Sequence, residues 1–427
     1  MLRSIDYKSY YMKSISSNYI RGILSALLCL QLCYACSPDP TVSIEGELKK
    51  WHRVTLLFDG PETSEMAEDN PFLDYRLDVT FTNGAEEFVV PGFYAADGNA
   101  AETSADSGNK WMVRFTPNQE GEWTYEVSFK QGEAIAVADP DAMSNAPSAG
   151  YFDGVAGSFN IAASDKTGLD NRAQGRLEYV GEPYLKYRET GKYFIKVGVD
   201  APENLFAYAD FDATPNALDL RKQWEPHRED FEAAAAPYLW QGEKGRNLLG
   251  AINYLASEEL NVFSFLTFNI EGDDRNVYPY LLKVPQSDYE AYASDKQNKN
   301  AWDSLFHRTR LDVSKMEQWE RILDYAETKG MFLHFKTHET ETDHLMDAGV
   351  FGLEGKLYYR ELIARFGHHL SMNWNLGEEN NQPIEEVIKA ANYVYDLDPY
   401  KHHLVMHTFP NQDDRYASLI GDQSPLT

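Results

Sequence analysis

Leu370-Ser371-Met372-Asn373-Trp374-Asn375-Leu376-Gly377-Glu378-Glu379-Asn380 decides how this chain is read. A short apolar run, Leu370 to Leu376, follows a helical segment and stops at a glycine and two adjacent carboxylates. So short a run between helical patterns reads as a buried strand. In a βα protein its end is the carboxyl end of a parallel sheet, where catalytic groups collect. A carboxylate held there works as a general acid or base once its surroundings tune its pKa. Two adjacent glutamates taken alone are more commonly a solvated acidic turn, so the reading rests on the flanking sequence.

Working outward, Tyr193 to Val199 predicts a strand. Leu248, Leu249, Ile252, Leu255 and Ala256 mark one face of a helix, and Val262 to Ile270 is a continuous apolar strand. Ser314 and Glu317 have capping-box spacing. They predict a helix with Met316, Trp319, Leu323 and Ala326 inward, closed by Gly330. Met331 to Phe335 is the next strand, and a helix through Tyr358, Leu362 and Phe366 leads to the quoted run. Ile384, Val387, Ile388, Ala391 and Val394 form a helical stripe, and Leu404 to Phe409 is a fifth strand. Strands alternating with amphipathic helices imply a parallel sheet with helical crossovers.

The links are asymmetric. Helix-to-strand links are short, whereas strand-to-helix links include two long ones, 200–246 and 271–313. Elaboration at one end suits a (β/α)8 TIM barrel with its site at the strand carboxyl ends. An open doubly wound sheet obeys the same rule, but no glycine-rich phosphate turn follows these strands. The elaborated end collects Asp200, Glu203, Asn269, His338, Glu339 and Glu341 besides the glutamate pair.

Residues 43–163 read differently. Trp51 to Phe58, Tyr75 to Phe81, Phe88 to Phe93, Trp111 to Phe115 and Trp123 to Phe129 are short runs rich in Val, Thr and aromatics. Turn signals such as Thr82-Asn83-Gly84 and Asp97-Gly98-Asn99 separate them. This spacing predicts an antiparallel β-sandwich, with Trp51, Trp111 and Trp123 in its core. Residues 131–158 read as a loop and a last edge strand.

At the start, Lys13 and Arg21 precede an apolar run, Ile23 to Ala35, too short to span a bilayer as a stable helix. It ends at Leu32-Cys33-Tyr34-Ala35-Cys36. That resembles a bacterial lipoprotein signal over 1–36, which implies export and a lipid anchor at Cys36 in the outer membrane or cell surface, a periplasmic face included. An ordinary secretory signal cleaved near Ala35 is the alternative. The three cysteines, Cys29, Cys33 and Cys36, all fall here, so the rest of the chain has no disulfide, thiolate metal site or cysteine nucleophile. The net charge of −28 makes nucleic acid and anionic lipid poor partners.

Trp374-x-Leu376-Gly377-x-Glu379 resembles the fourth-strand signature of the large clan of retaining glycoside hydrolases with (β/α)8 barrels. In that clan a Glu, usually preceded by Asn, is the acid/base. The resemblance implies Glu379 in that role. Glu378 stands where the Asn is usual, so the choice between the two stays open. The β-region is similar to a module of unknown function found ahead of such barrels in exported glycoside hydrolases. Leu48-Lys49-Lys50-Trp51-His52, Asn70-Pro71-Phe72-Leu73-Asp74-Tyr75 and Pro91-Gly92-Phe93-Tyr94-Ala95-Ala96-Asp97-Gly98 carry that likeness. The barrel region, 178–427, looks closest to the apiosidase-like, formerly collagenase-like, group.

The expected activity is retaining hydrolysis of a polysaccharide or oligosaccharide, which needs two carboxyl groups about 5 Å apart. The resemblance puts the nucleophile on a seventh strand, and the sequence stops at Thr427, soon after the fifth. The barrel is therefore expected through about strand 5 only, and this chain is expected to be inactive alone. A non-catalytic glycan-binding surface lipoprotein is the alternative. Asn269, His338, Glu339, Trp374, Asn380 and Trp302 are candidate substrate contacts. Trp240, Tyr278 and Tyr280, in the long links, are further candidates for stacking on sugars. No cofactor is expected. His338, Glu341 and His344 match no helical metal motif, so no metal site is expected either. His368-His369 and His402-His403 are expected to be solvated in loops at the opposite end.

Overall fold

The computed structural model describes residues 42–198 and 203–427. The leader, Cys36 and Asp200 lie outside the described residues. Eight strands open the described chain: β1 Val42–Gly46, β2 Val54–Ser64, β3 Tyr75–Asn83, β4 Glu86–Pro91, β5 Phe93–Tyr94, β6 Ser107–Phe115, β7 Gly121–Gln131 and β8 Ala156–Ile161. They form two antiparallel sheets, ordered β1-β2-β6-β5 and β4-β3-β7-β8. Period-two patterning fixes which side is buried. On β7, Trp123, Tyr125, Val127 and Phe129 are inward while Glu122, Thr124 and Glu126 are exposed. The sheets meet across aromatic rings, with Phe81 stacked on Phe115 at 4.1 Å and Trp111 edge-on to Phe129 at 4.8 Å. Trp51, Trp111 and Trp123 are all in the core. Trp51, however, sits in a turn at φ +65° before β2, not at the start of a strand. Strand β1 was not apparent from Val42 to Gly46, because only its alternate residues Val42 and Ile44 turn inward.

The remaining strands are β9 Leu177–Glu178, β10 Lys186–Tyr187, β11 Val262–Leu266, β12 Tyr280–Leu282, β13 Phe306–Leu311, β14 Phe332–Lys336, β15 Met372–Asn375 and β16 His403–Val405. The principal helices are α1 Arg246–Ser257, α2 Val313–Thr328, α3 Leu353–Phe366 and α4 Ile384–Leu397. Strands β11-β14-β15-β16 form a parallel sheet. Its two faces differ. Phe263, Phe265, Leu333, Phe335, Met372, Trp374 and Leu404 pack into the core that the helices share. The alternate residues Ser264, His334, Lys336, Asn373 and Asn375 present a polar face in matching register.

Three expectations are corrected. Among its described residues, the first expected strand, Tyr193 to Val199, makes only isolated bridges, Tyr193 with Lys186 and Gly198 with Val262. The Asn261 side chain takes up its backbone groups instead, accepting from the Val197 N–H at 2.8 Å and donating to the Ile195 carbonyl at 2.9 Å. Helix α2 is capped by Asp312, whose carboxylate accepts from the Lys315 N–H at 2.9 Å. The expected capping-box partner Glu317 is instead drawn onto Arg114 of the sandwich by two 2.7 Å bonds. The histidine loops are not solvated: His368, His369 and His402 are buried. His402 pairs with Asp398 at 2.7 Å, and His368 and His369 pack against the acidic face of α2. Gly330 does end α2 as expected, at φ +75°.

Candidate active site

The loops after β14, β15 and β16 are tied side by side. The Glu378 N–H donates to the His338 carbonyl at 2.8 Å, and the His407 N–H donates to the Gly377 carbonyl at 3.2 Å. Gly377, at φ +136°, makes the turn possible, since a Cβ there would lie 2.9 Å from His338 Nε2. This backbone carries the Glu378 side chain onto the polar face. One oxygen meets Lys336 Nζ at 2.6 Å, and the other meets His407 Nδ1. Lys336 is fully buried and also meets the Glu203 carboxylate at 2.7 Å. A charge taken from water must be paired, and here one ammonium holds two carboxylates. His407 is 43% exposed, so solvent reaches the Glu378 side of the cluster.

Glu379 is placed differently. It occupies the following turn at φ +49°, is half-buried, and makes no hydrogen bond or ion pair among the described residues. Glu339 pairs with Glu378 across the adjoining strand ends. Its carboxyl lies against the loop after β11, where a Cβ on Gly272 would fall 1.3 Å from Oε1. Burial, followed by the charges of Glu341, Asp273 and Glu203, pushes Glu339 up to about 8. Its Oε1 has no hydrogen-bond partner among the described residues. The site thus sets a carboxyl that keeps its proton at neutral pH beside one paired with an ammonium.

The other expected contacts divide. His338 lines a small cavity with Phe268, Tyr358 and Tyr359, and burial pushes it down to about 4, so it is a neutral imidazole. Its Nε2 lacks a partner among the described residues. Asn269 accepts from the Gly272 N–H at 3.1 Å and shapes the loop beneath Glu339. Asn380 is buried and occupied, donating to the Leu376 carbonyl and accepting from Arg415 at 2.9 Å each. Trp374 and Trp302 are not available to a sugar. Trp374 lies on the helix-facing side with its indole N–H on Asp398 at 3.0 Å. Trp302 is in an aromatic core with its N–H on Glu354 at 3.0 Å. Trp240, Tyr278 and Tyr280 are likewise buried. Exposed aromatics occur instead at Tyr184 and Tyr193. Tyr184 lines a cleft of about 420 Å³ with His334, Asn373 and His403, against the amino-terminal halves of the strands.

Sequence reasoning picked out neither His407 nor the pairing of Lys336 with Glu378. The signal for Lys336 was present: a cation alternating with His334 inside an otherwise apolar strand. Among the described residues, groups of histidines and carboxylates close enough to share a metal ion lie elsewhere, at Glu320, Asp324, His368 and His369 and at Glu47, His52 and Asp165.

Residues 47–130, within the sandwich, match the family model described as a domain of unknown function, DUF5060. The whole described fold is similar to a crystal structure from Bacteroides vulgatus ATCC 8482, provisionally named a glycoside hydrolase. The identity is 19% and the TM-score 0.54, over 84% of this chain and 55% of that one. The fold is one found among glycoside hydrolases. This chain spans about half the length of that relative. A family 5 glycoside hydrolase from the same organism is more distant, at 12% identity and TM-score 0.31 over 57% of this chain and 41% of that one. No curated protein matches the chain.

Proposed function

We propose that the protein acts on glycans as a glycoside hydrolase, with its reacting carboxylates at the ends of β14 and β15. One observation carries the reading: Glu378 reaches the polar face between buried Lys336 and solvent-exposed His407. Glu339, beside it, keeps a proton because it is buried among other acids. A carboxyl that keeps its proton beside a second carboxyl group suits acid/base cleavage of a glycosidic bond. In this reading Glu339 protonates the leaving oxygen and Glu378 serves as nucleophile in place of the seventh-strand residue that the resemblance implies, and retention of the anomer rests on that resemblance. The match to the clan signature instead favours Glu379, which the turn leaves unpartnered. The proposal extends to an apiosidase-like barrel and to an exported lipoprotein anchored at Cys36, both resting on sequence resemblance.

The test is to incubate the purified chain with a panel of plant and microbial polysaccharides and aryl glycosides, following reducing ends and product anomers by NMR. Release of sugar with retention is expected. Saturable binding without cleavage across the panel would replace hydrolysis with the glycan-binding reading. Inversion would remove Glu378 as nucleophile.

A further inference from the structure

At the amino-terminal end of the parallel sheet a second cluster is closed off by the sandwich. Glu320 and Asp324 stand four residues apart on α2, and His368 and His369 come from the turn before β15. One ligand atom from each side chain lies within 4.8 Å of the others. Glu320, His368 and His369 are buried.

Charged groups face the cluster from both sides. From α2 it is faced by Glu317, Glu320, Asp324 and Glu327, and from the sandwich by Arg53 and Arg114. Arg53 Nη1 holds Glu320 at 2.7 Å and Asp324 at 2.6 Å. Arg114 holds Glu317 at 2.7 Å and lies 3.6 Å from Glu320. Glu327 is met by His369 at 3.3 Å. Arg172 faces Glu327 from the same side, so each carboxylate has a cationic or imidazole neighbour, and a metal ion would replace protons on the imidazoles.

A separate observation points to the cation. His368 is 2% exposed, yet neither ring nitrogen makes a hydrogen bond among the described residues. Its Nε2 sits between two carboxylates, 3.0 Å from Glu320 Oε1 and 3.9 Å from Asp324 Oδ1. A ring nitrogen set among carboxylate oxygens in this way is placed as a ligand. Arg53 binds Asp324 through Oδ2 and leaves Oδ1 free. A polar cleft of about 260 Å³, lined by Arg53, Asp324 and Glu327, reaches the Asp324 edge of the cluster.

We propose that Glu320, Asp324, His368 and His369 bind one divalent transition-metal ion, zinc by ligand type, which fastens the helical layer to the sandwich. Two imidazoles and two carboxylates supply the four nitrogen and oxygen ligands that a closed tetrahedral zinc ion takes. Bonds of about 2 Å would draw the ligand atoms in to roughly 3.3 Å from one another. The site is distinct from Glu378, and its proposal stands whether or not the protein cleaves glycans.

The experiment strips the full chain with EDTA and titrates it with Zn2+ by calorimetry and with Co2+ by visible absorption. One ion per chain is expected, with the intense absorption of four-coordinate cobalt and a zinc-dependent rise in Tm. His368→Gln and Asp324→Asn should each weaken uptake about 10-fold or more, whereas His52→Gln, in the other group, should leave it unchanged. The proposal is overturned if the wild type takes up no saturating ion, if cobalt stays six-coordinate, or if His52→Gln alone abolishes uptake. The wild-type titration decides the matter even if a variant does not fold.

Discussion

Two acidic clusters sit at opposite ends of one parallel sheet, and they differ in what surrounds them. At the amino-terminal end the sandwich covers the carboxylates with arginines. Burial would raise Glu320, but Arg114, His368 and His369 outweigh it and hold it well below the usual range. Burial likewise works against Asp324, and Arg53 outweighs it. At the carboxyl-terminal end no arginine closes over the acids among the described residues; Lys336 serves Glu378 and Glu203, and Glu339 is left to burial and like charge. The same residue types make an interlocked joint at one end and, at the other, a raised Glu339 beside a Glu378 held by Lys336.

The comparison breaks most easily at the joint. Arg114→Ala leaves Glu317 without its cation and takes one of two guanidiniums from Glu320, and removing one member of a buried pair costs about 3–5 kcal/mol. Denaturant unfolding should show a loss of that size; a change below about 1 kcal/mol would mean the arginine is dispensable and the joint is held by apolar contacts. At the other end, Gly377→Ala places a methyl 2.9 Å from His338 Nε2 on a backbone at φ +136°. Strain of this kind costs on the order of 1–3 kcal/mol, and the shift of the turn should misplace Glu378. A variant with unchanged stability and unchanged glycan turnover would show that the turn tolerates a side chain.

The pH dependence of the metal-free protein sharpens the contrast. Burial opposes a charge on His369, yet Glu320 and Glu327 push it up to about 10 from an ordinary value near 6.5. A pKa raised on folding gives stability that is full below about 6.5 and lost as pH rises through about 10. Glu339, pushed up to about 8 from an ordinary 4.5, acts in the same direction between those values. The depressed carboxylates of the joint act oppositely: their contribution is present above their ordinary values and is lost as pH falls. Urea midpoints should therefore be highest in mildly acidic solution and decline toward pH 10. A midpoint that rises between pH 6.5 and 9 would contradict the ion pairing at His369. The smallest effect is expected for Trp374→Phe, which loses one indole hydrogen bond to Asp398, worth about 1 kcal/mol. Stability should fall slightly and glycan affinity should not change; a weakened affinity would return Trp374 to the sugar face.

Much of the fold was legible because hydrophobic period reports it directly. The β7 alternation at Trp123, Tyr125, Val127 and Phe129 and the α4 stripe from Ile384 to Val394 each match one element. The segment at Tyr193 to Val199 misled, because its alternating apolar residues look inward in sequence while Tyr193, Ile195 and Val197 are exposed. The capping box failed because a cation 203 residues away, Arg114, claims Glu317. The same long-range cause hid the joint: adjacent histidines in a short loop look solvated until the sandwich is packed over them. At the carboxyl-terminal end the chain announced the glutamate pair but not which member faces the sheet. That choice depends on the turn at Gly377 and on Lys336, two strands' worth of sequence upstream. The tryptophans of the long links misled for a different reason, since large aromatics in an elaborated loop serve either the loop's own core or a ligand, and here they build the core.

The account rests most heavily on Glu378 as the reacting carboxylate. The direct measurement is the turnover of Glu378→Gln beside Glu379→Gln on one hydrolysed substrate, with melting temperatures recorded for both. Glu378→Gln is expected to lower kcat by about 100-fold or more at little cost in Tm, while Glu379→Gln stays within a few-fold of wild type. If Glu379→Gln abolishes turnover and Glu378→Gln leaves it intact, the catalytic carboxylate is the one in the turn, and Glu378 serves only to hold Lys336 in place.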